Sequence, residues 1–274
     1  MKKYKVFEML KRSQNLKYRL AINSLIVGIL VGLTIVAHRI IISKLSPIFL
    51  NIYKNGRHNF IIVPFIFLTL IALGYIVGKC LKKQPMISGS GIPQVEGILT
   101  RNLKINWFSV LFYKFVGGLI CLCAGLSVGR EGPSVQMGAC IGEGVSKNLK
   151  NLDNEEKYLI TSGASAGLSA AFNAPLSGVM FALEEAHKNF SPLVLTSAMI
   201  ASISADFVSK QFFGLIPSLD FSEVKSLPLK NYWTLIILGI IIGISGVIFN
   251  KGILKTQSLF KKSKLSIEIK CIIP

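Results

Sequence analysis

Apolar residues fill four long runs, at positions 20–36, 61–78, 107–129 and 232–249, and polar residues gather in the gaps between them. Each run approaches the roughly 20 apolar residues that cross the hydrocarbon core of a bilayer. Lipid offers the backbone no hydrogen-bond partners, so spanning segments are helices or closed barrels. The alternation of barrel strands is absent. The pattern predicts an all-α integral membrane protein, a bundle of several spans. Between the third and fourth runs the segments shorten and are broken by Gly and Pro. Gly142, Gly144 and the stretch Gly163-Ala164-Ser165-Ala166-Gly167 supply small residues for backbone-close helix packing. Phe172-Asn173-Ala174-Pro175 breaks a helix, and a further apolar stretch covers 193–212. Discontinuous helices of this kind build ion sites in many secondary transporters.

Charge sets the expected topology. The chain has 274 residues, 51% of them hydrophobic, with a formal net charge of +18 and a mean hydropathy of +0.56. Basic residues cluster at the ends of apolar runs, as cytoplasmic loops do, which argues against nucleic acid as the partner and for a lipid bilayer. Lys2, Lys3, Lys5, Lys11, Arg12, Lys17 and Arg19 stand against Glu8 alone. This start reads as a basic amphipathic segment on the cytoplasmic surface, most simply of the plasma membrane, and not as a secretory signal. Four parts follow: the surface segment 1–19, a first transmembrane unit 20–212, an outer linker 213–228 and a last span with a basic cytoplasmic end, 229–274. Lys44, Lys54 and Arg57 lie in a polar stretch, 44–58, that this topology puts outside, an exception to the charge rule. Cys80, Cys121, Cys123, Cys140 and Cys271 are mostly embedded in apolar runs and read as small hydrophobes.

Candidate chemistry sits inside the apolar regions. In Gly129-Arg130-Glu131-Gly132-Pro133-Ser134, Pro133 suits the first turn of a helix, and the two glycines let the chain bend just before it. A helix start aims free N–H groups and partial positive charge at what lies ahead, which favours an anion. Glu131 is an anion tethered at that spot. In Ser88-Gly89-Ser90-Gly91-Ile92-Pro93, Ser90 is placed to cap a second helix whose first turn holds Pro93. Lys114 is the one charge within the third run, directed either to an interface or inward to an anion route. No nucleotide loop, nucleophile triad or metal-ligand spacing is present, so neither an enzyme nor a cofactor or metal is expected.

These stretches resemble the chloride channel (CLC) family of channels and proton-coupled antiporters. Gly89-Ser90-Gly91-Ile92-Pro93 is similar to its first anion motif and Gly129-Arg130-Glu131-Gly132-Pro133 to its second. The run from Gly163 through Phe172-Asn173-Ala174-Pro175-Leu176 to Glu184-Glu185 is similar to the stretch that follows. The resemblance implies an anion held by Ser90 with the amides of Gly89, Gly91 and Ile92, and another held by the N–H groups of Arg130, Glu131 and Gly132. It implies Glu131 as the external gate, Lys114 as electrostatic support and Glu185 as the internal proton acceptor that antiporters carry. Chloride and protons would be the substrates and a homodimer the complete assembly. Ser90 resembles chloride-preferring members, and both motifs depart from the fluoride-exporting branch. The family is an inverted repeat, and this chain corresponds to the first repeat plus one helix, with residues 271–274 like the start of the next. Exchange is the leading expectation. A passive voltage-gated channel is the alternative, and a truncated fragment or a subunit completed by a separate second half is a third.

Overall fold

In the computed structural model, residues 16–188, 190–215 and 227–273 are described, and every regular element among them is helical. Most of the basic surface segment and of the outer linker lies outside the described residues. Ten α-helices follow in order: α1 Leu16–His58, α2 Val63–Lys83, α3 Ile92–Leu99, α4 Trp107–Cys123, α5 Glu131–Asn148, α6 Asp153–Phe172, α7 Pro175–Phe181, α8 Pro192–Phe213, α9 Trp233–Lys262 and α10 Ile267–Lys270. A turn of π-helix, Ala182–His187, extends α7. Among the described residues, four segments are long and apolar enough to cross a membrane: those containing α1, α2, α8 and α9.

The centre of the bundle is the antiparallel pair α5–α6, and glycine makes it. A Cβ on Gly138 would strike the Gly163 carbonyl, one on Gly142 the Leu159 carbonyl, and one on Gly167 the Ser134 carbonyl. The contacts step in opposite directions along the two helices, so the backbones touch over their length. Around this pair, Val27, Val31 and Ile35 of α1 form one buried stripe at four-residue spacing, packed with Met137 and Ile141 of α5 and Ala201 and Ala205 of α8. Gly28 and Gly32 let α1 approach the backbone of α8 at Ala201 and Ala205.

Three boundaries differ from the sequence reading. Leu16 to Arg19 belong to α1, whose Arg19 pairs with the buried Glu155 of α6 at 2.6 Å. The same helix does not stop before the polar stretch at 44–58 but runs 43 residues, through Pro47. A mid-helix proline costs roughly 3 kcal/mol. Against that, Ile48, Phe49, Ile52 and Tyr53 keep apolar side chains at helical spacing, and the Tyr53 hydroxyl donates to the Ala124 carbonyl at 2.6 Å, tying this end to the C-terminus of α4. Finally, the helix near the end of the chain is α10, ahead of Cys271; its backbone packs on α2 at Gly78 and the following Cys271–Ile272 at Gly74, and Lys82 pairs with Glu268 at 2.6 Å. Asn173 takes the left-handed conformation with φ 56° and closes α6, so the predicted break falls where α7 begins at Pro175.

Arg39, on α1 just beyond the first apolar run, has neutral partners. It donates to the Ala170 carbonyl at 2.8 Å, to Asn173 Oδ1 at 3.2 Å and to Ser209 Oγ at 2.9 Å, and its guanidinium lies 3.9 Å over the Phe213 ring. It joins α1 to α8 at the α6–α7 break.

Candidate anion site

Two helix starts meet at one cavity. Gly89 and Gly91 have φ values of +68° and +96°, a left-handed geometry that L side chains rarely adopt, and they turn the chain into α3. Gly91, not Ser90, is the N-cap residue; Ser90 stands one place earlier, its Oγ accepting from the Ile92 N–H at 3.3 Å. The first turn of α5 carries the free N–H groups of Glu131 and Gly132 ahead of Pro133. Gly132 joins the two starts: a Cβ there would collide with the Ser90 carbonyl and lie 2.9 Å from Ser90 Cα. The second motif therefore rests backbone to backbone on the first.

Lys114 holds the loop between them. Although it lies within an apolar helix it is 5% exposed, and its ammonium donates to the carbonyls of Ile87 and Gly89 at 2.9 and 2.8 Å. It is directed inward, and its charge sits against the Gly89 carbonyl, next to Ser90 in the chain. The cavity so framed has a volume of about 460 Å³ and is lined by Gly89, Ser90, Lys114, Gly129, Glu131 and Gly132, with apolar and aromatic neighbours such as Tyr113 and Val128. Space of this size exceeds a single small ion and admits water with it. The Glu131 carboxylate folds back over Gly129, where a Cβ would strike it.

The profile of the voltage gated chloride channel family matches residues 70–274. This chain belongs to the CLC family. It is 36% identical over 243 residues to the H(+)/Cl(-) exchange transporter ClcA of Salmonella paratyphi B, and equally to that of Salmonella newport, covering 86% of this chain and 51% of each relative. The chain thus spans about half the length of the curated relatives it matches. Among solved structures, a slow cyanobacterial Cl−/H+ antiporter superposes with a TM-score of 0.86 at 31% identity, over 93% of this chain and 61% of that one. A CLC-type fluoride/proton antiporter shares the fold, with a TM-score of 0.72 at 24% identity over 89% of this chain and 60% of that one.

Not every residue singled out in the sequence reaches the cavity of this CLC chain. Gly91 is buried beneath the Gln136 side chain, and the Arg130 guanidinium lies 5.6 Å over the Phe172 ring at the head of α5. Ile92 is half-buried in the first turn of α3, packed toward Val95 and Ala164. Glu185 is exposed on the π-helical turn and is not among the cavity-lining residues. That turn is joined to α3 by Lys188, whose ammonium pairs with Glu96 at 2.6 Å. The pairing raises the Lys188 pKa above its usual value, through the hydrogen bond first and the charge of Glu96 second.

Gln136 was missed. It is fully buried on α5, its Nε2 donates to the Met86 carbonyl at 2.8 Å, and its Oε1 has no partner among the described residues. It clamps the loop before α3 from the second motif's own helix. A polar residue one turn into a helix rich in small residues was the available signal.

Proposed function

We propose that this chain forms the N-terminal half of a CLC chloride/proton exchanger, in which the converging starts of α3 and α5 hold dehydrated chloride and Glu131 gates it. The observation that carries the reading is the seating of Gly132 on the Ser90 carbonyl, which puts both motifs and the Glu131 carboxylate on one cavity. The names of the ClcA relatives, as H(+)/Cl(-) exchange transporters, support the choice of ions.

The mechanism follows from electrostatics. An anion leaving water needs donors already in place, and unpaired first-turn N–H groups supply them together with the partial positive charge of the helix start. The Ser90 hydroxyl and the N–H groups of Gly89, Glu131 and Gly132, all residues that line the cavity, form the proposed donor set. Lys114 adds a full charge while locking the Ser90 loop. When ionised, Glu131 competes with chloride for the α5 donors; protonated, it loses that attraction and yields the place. One proton then moves with each release of the gate. Glu185 is proposed to receive the proton at the other end, beside Lys188.

The complete assembly is proposed to be a homodimer in the plasma membrane, with the end that carries Arg19, Lys147 and Lys157 on the cytoplasmic side, and with the rest of the anion site supplied by protein equivalent to the remaining half of the relatives. The test is Glu131→Gln in the assembled transporter in liposomes: chloride flux persists while a chloride gradient no longer drives protons. Proton pumping that survives the substitution would falsify the gate assignment. A wild-type protein that passes chloride but never pumps protons would be a passive channel.

A further inference from the structure

A second cavity, of about 610 Å³, opens where the loop after α3 meets the α5–α6 turn. It shares no lining residue with the Ser90–Glu131 site. Its lining combines apolar residues, Leu103, Ile105 and Ile160 among them, with charged ones. Two of its cations are already matched, Arg101 with Asp153 at 3.0 Å and Lys147 with Glu143. Lys104 and Lys157 also line it, and neither ammonium is paired with an acid among the described residues. Glu156 faces the same space, so the unspent charge is two ammoniums against one carboxylate.

One acceptor is also unspent. Glu143 is 4% exposed, and its Oε2 has no hydrogen-bond partner among the described residues while the other oxygen takes Lys147. A buried carboxylate oxygen left without a donor is costly, so a ligand that brings an O–H there gains what the protein lacks. The cavity therefore asks for an anion that also carries a hydroxyl.

Its depth identifies the source. Trp107 starts α4 just beyond the loop, its ring against Gly144 and edge-on to Phe108 at 5.5 Å, and Phe108 is exposed. Tryptophan at a helix start marks the headgroup level of a bilayer. Basic pockets between transmembrane helices at that level bind anionic headgroups.

We propose that this cavity binds the headgroup of an anionic, hydroxyl-bearing phospholipid of the phosphatidylglycerol class. The phosphodiester lies between Lys104 and Lys157, a glycerol hydroxyl donates to Glu143, and the acyl chains leave along Leu103 and Ile105 toward Phe108. Such a lipid joins the α3–α4 loop to α6. Lys157 also lines the neighbouring cavity that holds His187 and Lys188, so the bound phosphate acts on the wall of the turn that carries Glu185.

The full chain is released from nanodiscs of equimolar phosphatidylglycerol and phosphatidylcholine, and retained lipid is counted by native mass spectrometry. The expected result is retained phosphatidylglycerol, with the double variant Lys104→Gln/Lys157→Gln about 30-fold weaker. The double variant Lys255→Gln/Lys261→Gln, which removes equal charge from α9, retains it as the wild type does. Circular dichroism confirms that both variants keep their helices. Equal retention by the first variant, or equal loss by the second, overturns the proposal. Soluble glycerol phosphate is the other source of the same chemistry. If it binds at Lys104 and Lys157 while the wild type retains no phosphatidylglycerol, the lipid assignment fails.

Discussion

Gly132→Ala tests the joint between the two motifs with one methyl group. Alanine suits the helix and leaves Glu131, Ser90 and Lys114 chemically intact. Its Cβ would nonetheless lie 2.9 Å from the Ser90 Cα and carbonyl carbon, and closer to the carbonyl oxygen. Unstrained carbon contacts sit near 3.5–4.0 Å, so the Ser90 loop must retreat by roughly 0.6–1.1 Å. The atoms in the way are backbone, and Lys114 holds the same loop from behind through the carbonyls of Ile87 and Gly89. Relief by a side-chain rotation is therefore closed. Overpacking of this kind costs about 1–3 kcal/mol, read as a lower thermal midpoint in detergent. Displacing one donor set by about 1 Å from the other costs up to about a hundredfold in function, read as chloride efflux from liposomes. Gly243→Ala on α9 is the control, because a Cβ there meets nothing within 4 Å; it leaves flux unchanged and stabilises the helix by about 0.5–1 kcal/mol. Wild-type flux and stability in Gly132→Ala would refute the reasoning.

Two further substitutions separate the gate from its support. Gly129→Ala places a Cβ against the Glu131 carboxylate, the far end of a flexible side chain, so the helix keeps its stability while the carboxylate is displaced; proton-coupled flux changes with no shift in thermal midpoint, and an unchanged coupling ratio contradicts the placement. Lys114→Met removes the donor to the Ile87 and Gly89 carbonyls, and hydrogen bonds to charged groups are worth about 1.5–3 kcal/mol each. Hydrogen exchange in the Ser90 loop rises in that variant, and a loop as protected as in the wild type shows that Lys114 does not hold it.

How far the sequence reveals this molecule depends on the range of the contact. Pro133, Pro175 and Asn173 act on their own backbone, so the starts of α5 and α7 and the end of α6 were readable from local chemistry. The glycines of α5 and α6 announced close packing through composition, but their pairing, Gly138 with Gly163 and Gly142 with Leu159, is tertiary. Lys114 illustrates the boundary. Its oddity in an apolar run was plain, while its two carbonyl partners lie 25 and 27 residues away and depend on how α4 packs. The path of α1 through Pro47 was hidden for a similar reason, since the Tyr53 tether reaches 71 residues to Ala124. At the site, the motif residues were legible as types. That Gly91 takes the cap position, that Gln136 clamps it and that Glu185 stands apart from the cavity required the fold.

The most direct measurement is anomalous diffraction from crystals of the assembled transporter soaked in bromide. The account predicts a bromide peak in the 460 Å³ cavity, within hydrogen-bond distance of Ser90 Oγ or of the first-turn N–H groups of α5, and a stronger peak beside α5 in Glu131→Gln. A cavity free of bromide in both proteins, with anions bound elsewhere, would contradict it.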